Sequence, residues 1–201
     1  MSVNLEFYAV AWRDVADAIG SRDRRLFSKI LKKSEPNFDE VFEAEDFDGG
    51  PDFERGLERW IDGVVGTGTT KRTVKVLNLG DTLGFLALVQ FYGRMVGTLN
   101  HTITAGEMFR DEFLLTAAQN ALRPSYSFEL ILSRPILGYE RDDYPYWGGL
   151  TRAELHMLKA RLERDAPVWE ADPDVDGWLQ EFWDGLGSTV LDGKDLITIY
   201  A

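Results

Sequence analysis

The chain is 201 residues long, 44% hydrophobic and 12% aromatic, with 34 acidic and 22 basic side chains and a formal net charge of −12. That length and apolar content exclude global disorder and point to a single domain over residues 1–201, with core enough to need no staples. The lack of cysteine excludes disulfides, thiolate metal sites and a cysteine nucleophile, and the negative charge argues against a general nucleic-acid binder, because phosphates would repel it.

Asn4–Ala11 alternates and predicts a strand, with Leu5, Phe7 and Ala9 on one face and Tyr8 and Val10 on the other. The same stretch has no basic n-region and meets charge too soon for a signal peptide. A short helix over Trp12–Ile19 stops at Gly20. Ser21 is placed to cap a second helix, Arg22–Lys33, whose apolar stripe is Leu26, Phe27, Ile30 and Leu31. The rest of that helix is basic: Arg22, Arg24, Arg25, Lys29, Lys32 and Lys33 stand against Asp23 alone.

The next segment is the reverse. Between Glu35 and Asp62 there are eleven acidic side chains and two basic ones, Arg55 and Arg59. The pattern predicts a helix over Pro36–Ala44 that buries Phe38, Val41 and Phe42, then a polar turn over Asp46–Pro51. An amphipathic helix follows over Asp52–Asp62, with Phe53, Leu57, Trp60 and Ile61 inward. Glu40, Glu43, Glu54 and Glu58 then lie on outer faces and are candidates for contact with a basic partner. The charge asymmetry can steer association and also permits a homodimer.

Gly63–Thr73 reads as a Gly/Thr-rich loop and Val74–Leu77 as a short strand. Asp81 and Thr82 open the most buried helix, through Val96 and ending near Gly97; its apolar part holds Gln90 and Arg94 and is too short to span a bilayer. Thr104 and Glu107 form a capping box opening a helix to Leu122, and Pro124 ends it. Ser125–Ser133 reads as a short helix and Pro135–Trp147 as an aromatic loop. Thr151 and Glu154, in T-R-A-E, form a second capping box opening a helix to Arg164. Pro173 and Asp174 open a last helix, with Val175, Trp178, Leu179, Phe182, Trp183 and Leu186 inward. Asp192-Gly193 is a turn and Leu196–Tyr200 a terminal strand. The expected fold is α+β, mostly helical, with a small sheet formed by the N- and C-terminal strands.

Few motifs carry chemistry. Asp172–Gly177 starts like a calcium loop, but Trp183 stands where the bidentate Glu is required. Acidic residues near a helix start are explained as well by the helix dipole. Gly63–Thr73 lacks the G-K-[ST] order of a phosphate loop. His101 and His156 have no ligand spacing between them, and Ser188 sits in no nucleophile elbow. The loop from Tyr139 to Trp147 is richer: Tyr139, Tyr144, Tyr146 and Trp147 stand beside Arg141, Asp142 and Asp143. Aromatics with Arg are enriched at binding hot spots, although rings covering a core are the commoner use.

Several segments carry a resemblance. They are Y-A-V-A-W at Tyr8–Trp12, G-S-R-D at Gly20–Asp23, R-P-I-L at Arg134–Leu137, D-D-Y-P at Asp142–Pro145 and G-G-L-T-R-A-E-L at Gly148–Leu155. W-L-Q-E-F-W at Trp178–Trp183 and D-G-K-D-L-I-T-I-Y at Asp192–Tyr200 complete the set. Together they resemble an uncharacterised bacterial family of unknown function and, more distantly, YfbM-like proteins; Val64–Leu79 falls outside the likeness. The resemblance implies a small cytoplasmic bacterial protein of mixed α and β structure and supplies no catalytic residues.

With no catalytic constellation in the sequence, the acidic surface favours a non-enzymatic cytoplasmic protein-interaction protein, of the immunity type that neutralises a basic toxin. No cofactor, metal, nucleic-acid or membrane partner is expected. The alternative is a small carboxylate-using enzyme or ligand-binding protein built around the aromatic loop. A deep polar pocket with perturbed carboxylates would favour the alternative; a broad acidic surface would favour the first reading.

Overall fold

The computed structural model describes residues 2–41, 53–65, 75–76, 79–102, 134, 136–140, 146–165 and 184–200. Side chains are described for 6–34, 53–65, 80–98, 134, 136–139, 147–160 and 184–199. In chain order the elements are β1 (Ser2–Val10), α1 (Trp12–Ala18), α2 (Arg24–Val41), α3 (Phe53–Asp62), β2 (Lys75–Val76) and α4 (Leu79–Tyr92). They continue with β3 (Arg94–Thr102), β4 (Tyr139–Glu140), β5 (Tyr146–Leu150), α5 (Arg152–Asp165), α6 (184–192) and β6 (Asp195–Tyr200). The fold is α+β, and among the described residues helices predominate. These residues group into two compact units: one holds Met1–Val10, Arg94–Arg134 and Asp143–Ala201, the other Ala11–Gly93 and Pro135–Asp142.

The first unit is built on an antiparallel four-stranded sheet of order β3-β1-β6-β5. The N- and C-terminal strands pair with each other at its centre, Phe7 opposite Thr198 and Ala9 opposite Leu196. The predicted strand carries apolar side chains on both faces, and both faces are buried. Phe7, Tyr8, Ala9 and Val10 are all buried, as are Leu196, Ile197, Thr198 and Ile199. A central strand has neighbours on two sides and so can be covered above and below. β3 pairs with β1 through a bulge: Phe7 faces Gly97 and Tyr8 faces Met95, leaving Val96 as the extra residue. α6 comes close to the sheet at Gly185, where an added Cβ would lie 3.8 Å from Phe7.

β3 corrects the sequence reading, which ran one helix through Val96. α4 stops at Tyr92 and Gly93 follows, its N–H bonded to Val89 O at 2.7 Å. The chain then turns into a strand at Arg94. A continuous apolar run does not distinguish buried helix from strand by periodicity, so the switch was invisible.

The second unit packs α1, α2 and α3 around α4, which is buried on every side; Leu83, Phe85, Ala87, Leu88 and Val89 have no exposed surface. α3 and α4 meet backbone to backbone. A Cβ on Gly56 would lie 1.8 Å from Gly80 O, and one on Gly84 would lie 2.4 Å from Leu57 N. Leu57, Trp60 and Ile61 are buried as the α3 pattern predicts.

α2 also departs from expectation. It starts at Arg24, and its cap is Asp23, not Ser21: Asp23 Oδ1 accepts from Arg25 N at 2.8 Å and Leu26 N at 3.1 Å. It then continues through Pro36 to Val41, so the two helices expected over 22–33 and 36–44 are one. Ile30 and Ser34 of this helix are fully buried; Lys33 Nζ donates to Gln90 O at 3.1 Å and Phe91 O at 3.0 Å, closing the last turn of α4.

Candidate functional site

The acidic candidates divide by placement. Glu54 lies in the first turn of α3 and is exposed. Glu58 is not free. Arg24 of α2 donates to Glu58 Oε1 at 2.7 Å and to Asp62 Oδ2 at 3.1 Å, so one guanidinium bridges two carboxylates one turn apart. The outer faces of the basic and acidic helices are thus partly joined. Glu40 lies on the backbone of α2 with its side chain outside the described residues, and Glu43 lies outside them altogether.

Of the basic residues in the acidic segment, Arg59 is taken up inward. Its Nε pairs with Asp81 Oδ1, a carboxylate only 3% exposed at the start of α4. Next to it, Trp60 Nε1 donates to Asp81 O. Trp60 also meets the Phe85 ring at 5.3 Å and the edge of Tyr139 at 4.4 Å. These contacts lock α3 to α4 and fix which side of α3 faces water.

The aromatic stretch is less of a loop than its composition suggests. Ile136–Tyr139 closes as a tight hairpin, Ile136 N to Tyr139 O at 2.9 Å and Tyr139 N to Ile136 O at 3.0 Å. Leu137 and Gly138 both have positive φ, 55° and 83°, as a type I′ turn requires. Tyr139 then enters β4, pairs with Lys75 of β2 and packs on Trp60; burial pushes its phenol above the ordinary value. Tyr146 and Trp147 belong to β5, opposite Tyr200 and Ile199, and Trp147 is 2% exposed. Tyr139 and Trp147 therefore cover cores, and they do so in different units. Arg141, Asp142, Asp143 and Tyr144 lie outside the described residues.

The second capping box forms as expected. Thr151 N donates to Glu154 Oε2 at 2.8 Å and Glu154 N to Thr151 Oγ1 at 3.3 Å. What the sequence did not signal is Arg134, whose Nη1 donates to the same Glu154 oxygen at 2.7 Å and to Gly149 O at 3.2 Å. Burial acts to raise the Glu154 carboxyl, but the hydrogen bonds from Arg134 and Thr151 outweigh it and hold it below the ordinary carboxylate range. Asp195 completes the helix start by accepting from Arg152 N at 2.8 Å. This network is a helix start tied to the sheet.

Among the described residues no group of histidine, aspartate and glutamate could hold a metal ion, and no helix is long and apolar enough to cross a membrane. His156 is exposed on α5, and the His101 side chain lies outside the described residues. The calcium-like stretch 172–177, the first capping box at Thr104 and Glu107, and most of the loop after Gly63 also lie outside them.

No curated protein and no solved structure matches this chain. A family model does, over residues 1–201: the two-unit α+β chain described above belongs to the domain of unknown function family DUF7691.

Proposed function

We propose that the chain is a non-enzymatic, cytoplasmic protein-interaction protein of bacterial origin, an immunity-type protein that binds a basic toxin through its acidic segment, Glu35–Asp62. One observation carries this reading. Residues 35–52 hold eight acidic side chains and no basic one, while the apolar face of α3 is committed to the core and leaves Glu54 outward. Arg59, one of the segment's two cations, is spent on the buried Asp81, so it does not neutralise the outer charge. The motif likeness to YfbM-like proteins is part of the same proposal and adds no catalytic residue to it.

An acidic surface of this kind acts through long-range attraction, which raises association rates more than it slows release. The test is affinity capture from the native host at low ionic strength, followed by elution with salt. A captured protein with a basic surface, released as salt screens charge over ~8 Å at physiological strength, is the expected result. Capture of no protein, or only of proteins whose retention ignores salt, would contradict the proposal.

A further inference from the structure

The structure assigns α2 a second role: we propose that Arg22, Arg25, Lys29 and Lys32 form a docking stripe for a discrete acidic segment of a partner protein. This surface is distinct from the acidic segment, opposite to it in charge, and independent of the reading given above.

Six cations surround α2, and the structure sorts them. Arg24 is consumed by Glu58 and Asp62, and Lys33 by the end of α4. The other four are exposed, and among the described residues no carboxylate pairs with them. Arg25, Lys29 and Lys32 fall within an arc of about 60° at 3.6 residues per turn, on the side of α2 opposite the buried Ile30 and Ser34. With Arg22 at its head the row is about 15 Å long at 1.5 Å per residue.

Two local features mark the head of the stripe. Arg22 has φ of 56°, a left-handed conformation that favours glycine and costs energy for a residue with a Cβ. It is held there by its N–H bond to Ile61 O at 2.8 Å. The first turn of α2 contains Arg24 and Arg25, and the acid that the positive end of a helix dipole favours is Asp23 at its cap.

The occupant follows from charge. A small anion does not fit, because Asp23 already accepts the free N–H groups of Arg25 and Leu26 at the helix start. A nucleic acid or an anionic membrane presents an extended negative surface that meets the whole chain, with its charge of −12, and is repelled. A discrete acidic helix or strand meets the stripe alone.

The probe is a short, capped Ala/Glu helical peptide with glutamates on one face, titrated at low ionic strength and then joined to the protein with carbodiimide. Wild type is expected to bind, with cross-links mapped to Lys29 and Lys32. Arg25→Glu/Lys29→Glu should bind at least about tenfold more weakly at an unchanged melting temperature. Should that reversal fail to fold, Arg25→Gln/Lys29→Gln gives the same comparison. No binding by wild type, equal binding by the variant, cross-links elsewhere, or equally tight binding of duplex DNA or phosphatidylserine vesicles would overturn the proposal.

Discussion

Gly56 of α3 and Gly80 of α4 touch backbone to backbone, so closely that a Cβ on Gly56 would lie 1.8 Å from the Gly80 carbonyl oxygen. No side-chain rotation relieves such an overlap, because both parties are main chain. Gly56→Ala must therefore push the helices apart, at a cost of about 1–3 kcal/mol or more. At about 2–4 °C per kcal/mol for a chain of this size, thermal unfolding should show the loss directly. Gly187→Ala is the control: its nearest neighbour is the flexible end of Lys159 at 3.9 Å. That change should be neutral or raise the melting temperature, since alanine is favoured over glycine within a helix by up to about 1 kcal/mol.

Glu154 gives a pH dependence whose sign is fixed by its contacts. Arg134 and Thr151 hold its carboxyl below the ordinary range, so it is more readily ionised folded than unfolded. The stability it contributes is present above the ordinary carboxylate range and is lost as pH falls through the lowered value. Glu154→Gln should flatten that acid limb of the stability curve. At neutral pH it should cost about 1.5–3 kcal/mol, as loss of a hydrogen bond to a charged partner does. Denaturant unfolding at several pH values checks both. An unchanged acid limb would mean that the network does not persist in solution.

β6 lies between β1 and β5, so deleting Asp195–Ala201 removes a central strand and not a frayed edge. Leu196, Ile197 and Ile199 are buried on both faces. The truncated chain should lose the cooperative unfolding of the unit built on the sheet. Circular dichroism melting checks this, and a full cooperative transition in the truncated protein would contradict it.

Charge reversal on α3 should separate two neighbouring glutamates. Glu54→Lys changes an exposed site and should alter stability by less than about 0.5 kcal/mol. Glu58→Lys removes a partner of Arg24 and sets a second cation beside it. Because the pair is half exposed, its loss should cost no more than about 1 kcal/mol, and less in high salt. Melting of the two variants at low and high salt makes the comparison.

These elements also show what a sequence can carry. Capping at Thr151 and Glu154 was legible because both partners lie within one turn. Pairing of the terminal strands was legible because Phe7–Ala9 and Leu196–Ile199 are short, β-rich runs at the chain ends. The bridge from Arg24 to Glu58 and Asp62 spans 34 and 38 positions, and that of Arg134 to Glu154 spans 20; no local rule reports such partners. The contact of Gly56 with Gly80 and Gly84 joins two helices, and no pattern within either one reports it. The aromatic stretch allowed two readings, and Tyr139 and Trp147, anchored in strands, follow the commoner one in which rings cover a core.

The central claim is that the acidic segment drives encounter with a basic partner. It is tested most directly by the association rate of the captured partner with Glu40→Lys/Glu43→Lys/Glu54→Lys, measured across a range of salt concentrations. Glu58 is left intact so that Arg24 keeps its partners. The account predicts slower association, a shallower salt dependence and little change in dissociation. An association rate and salt slope equal to those of the unaltered chain would contradict it.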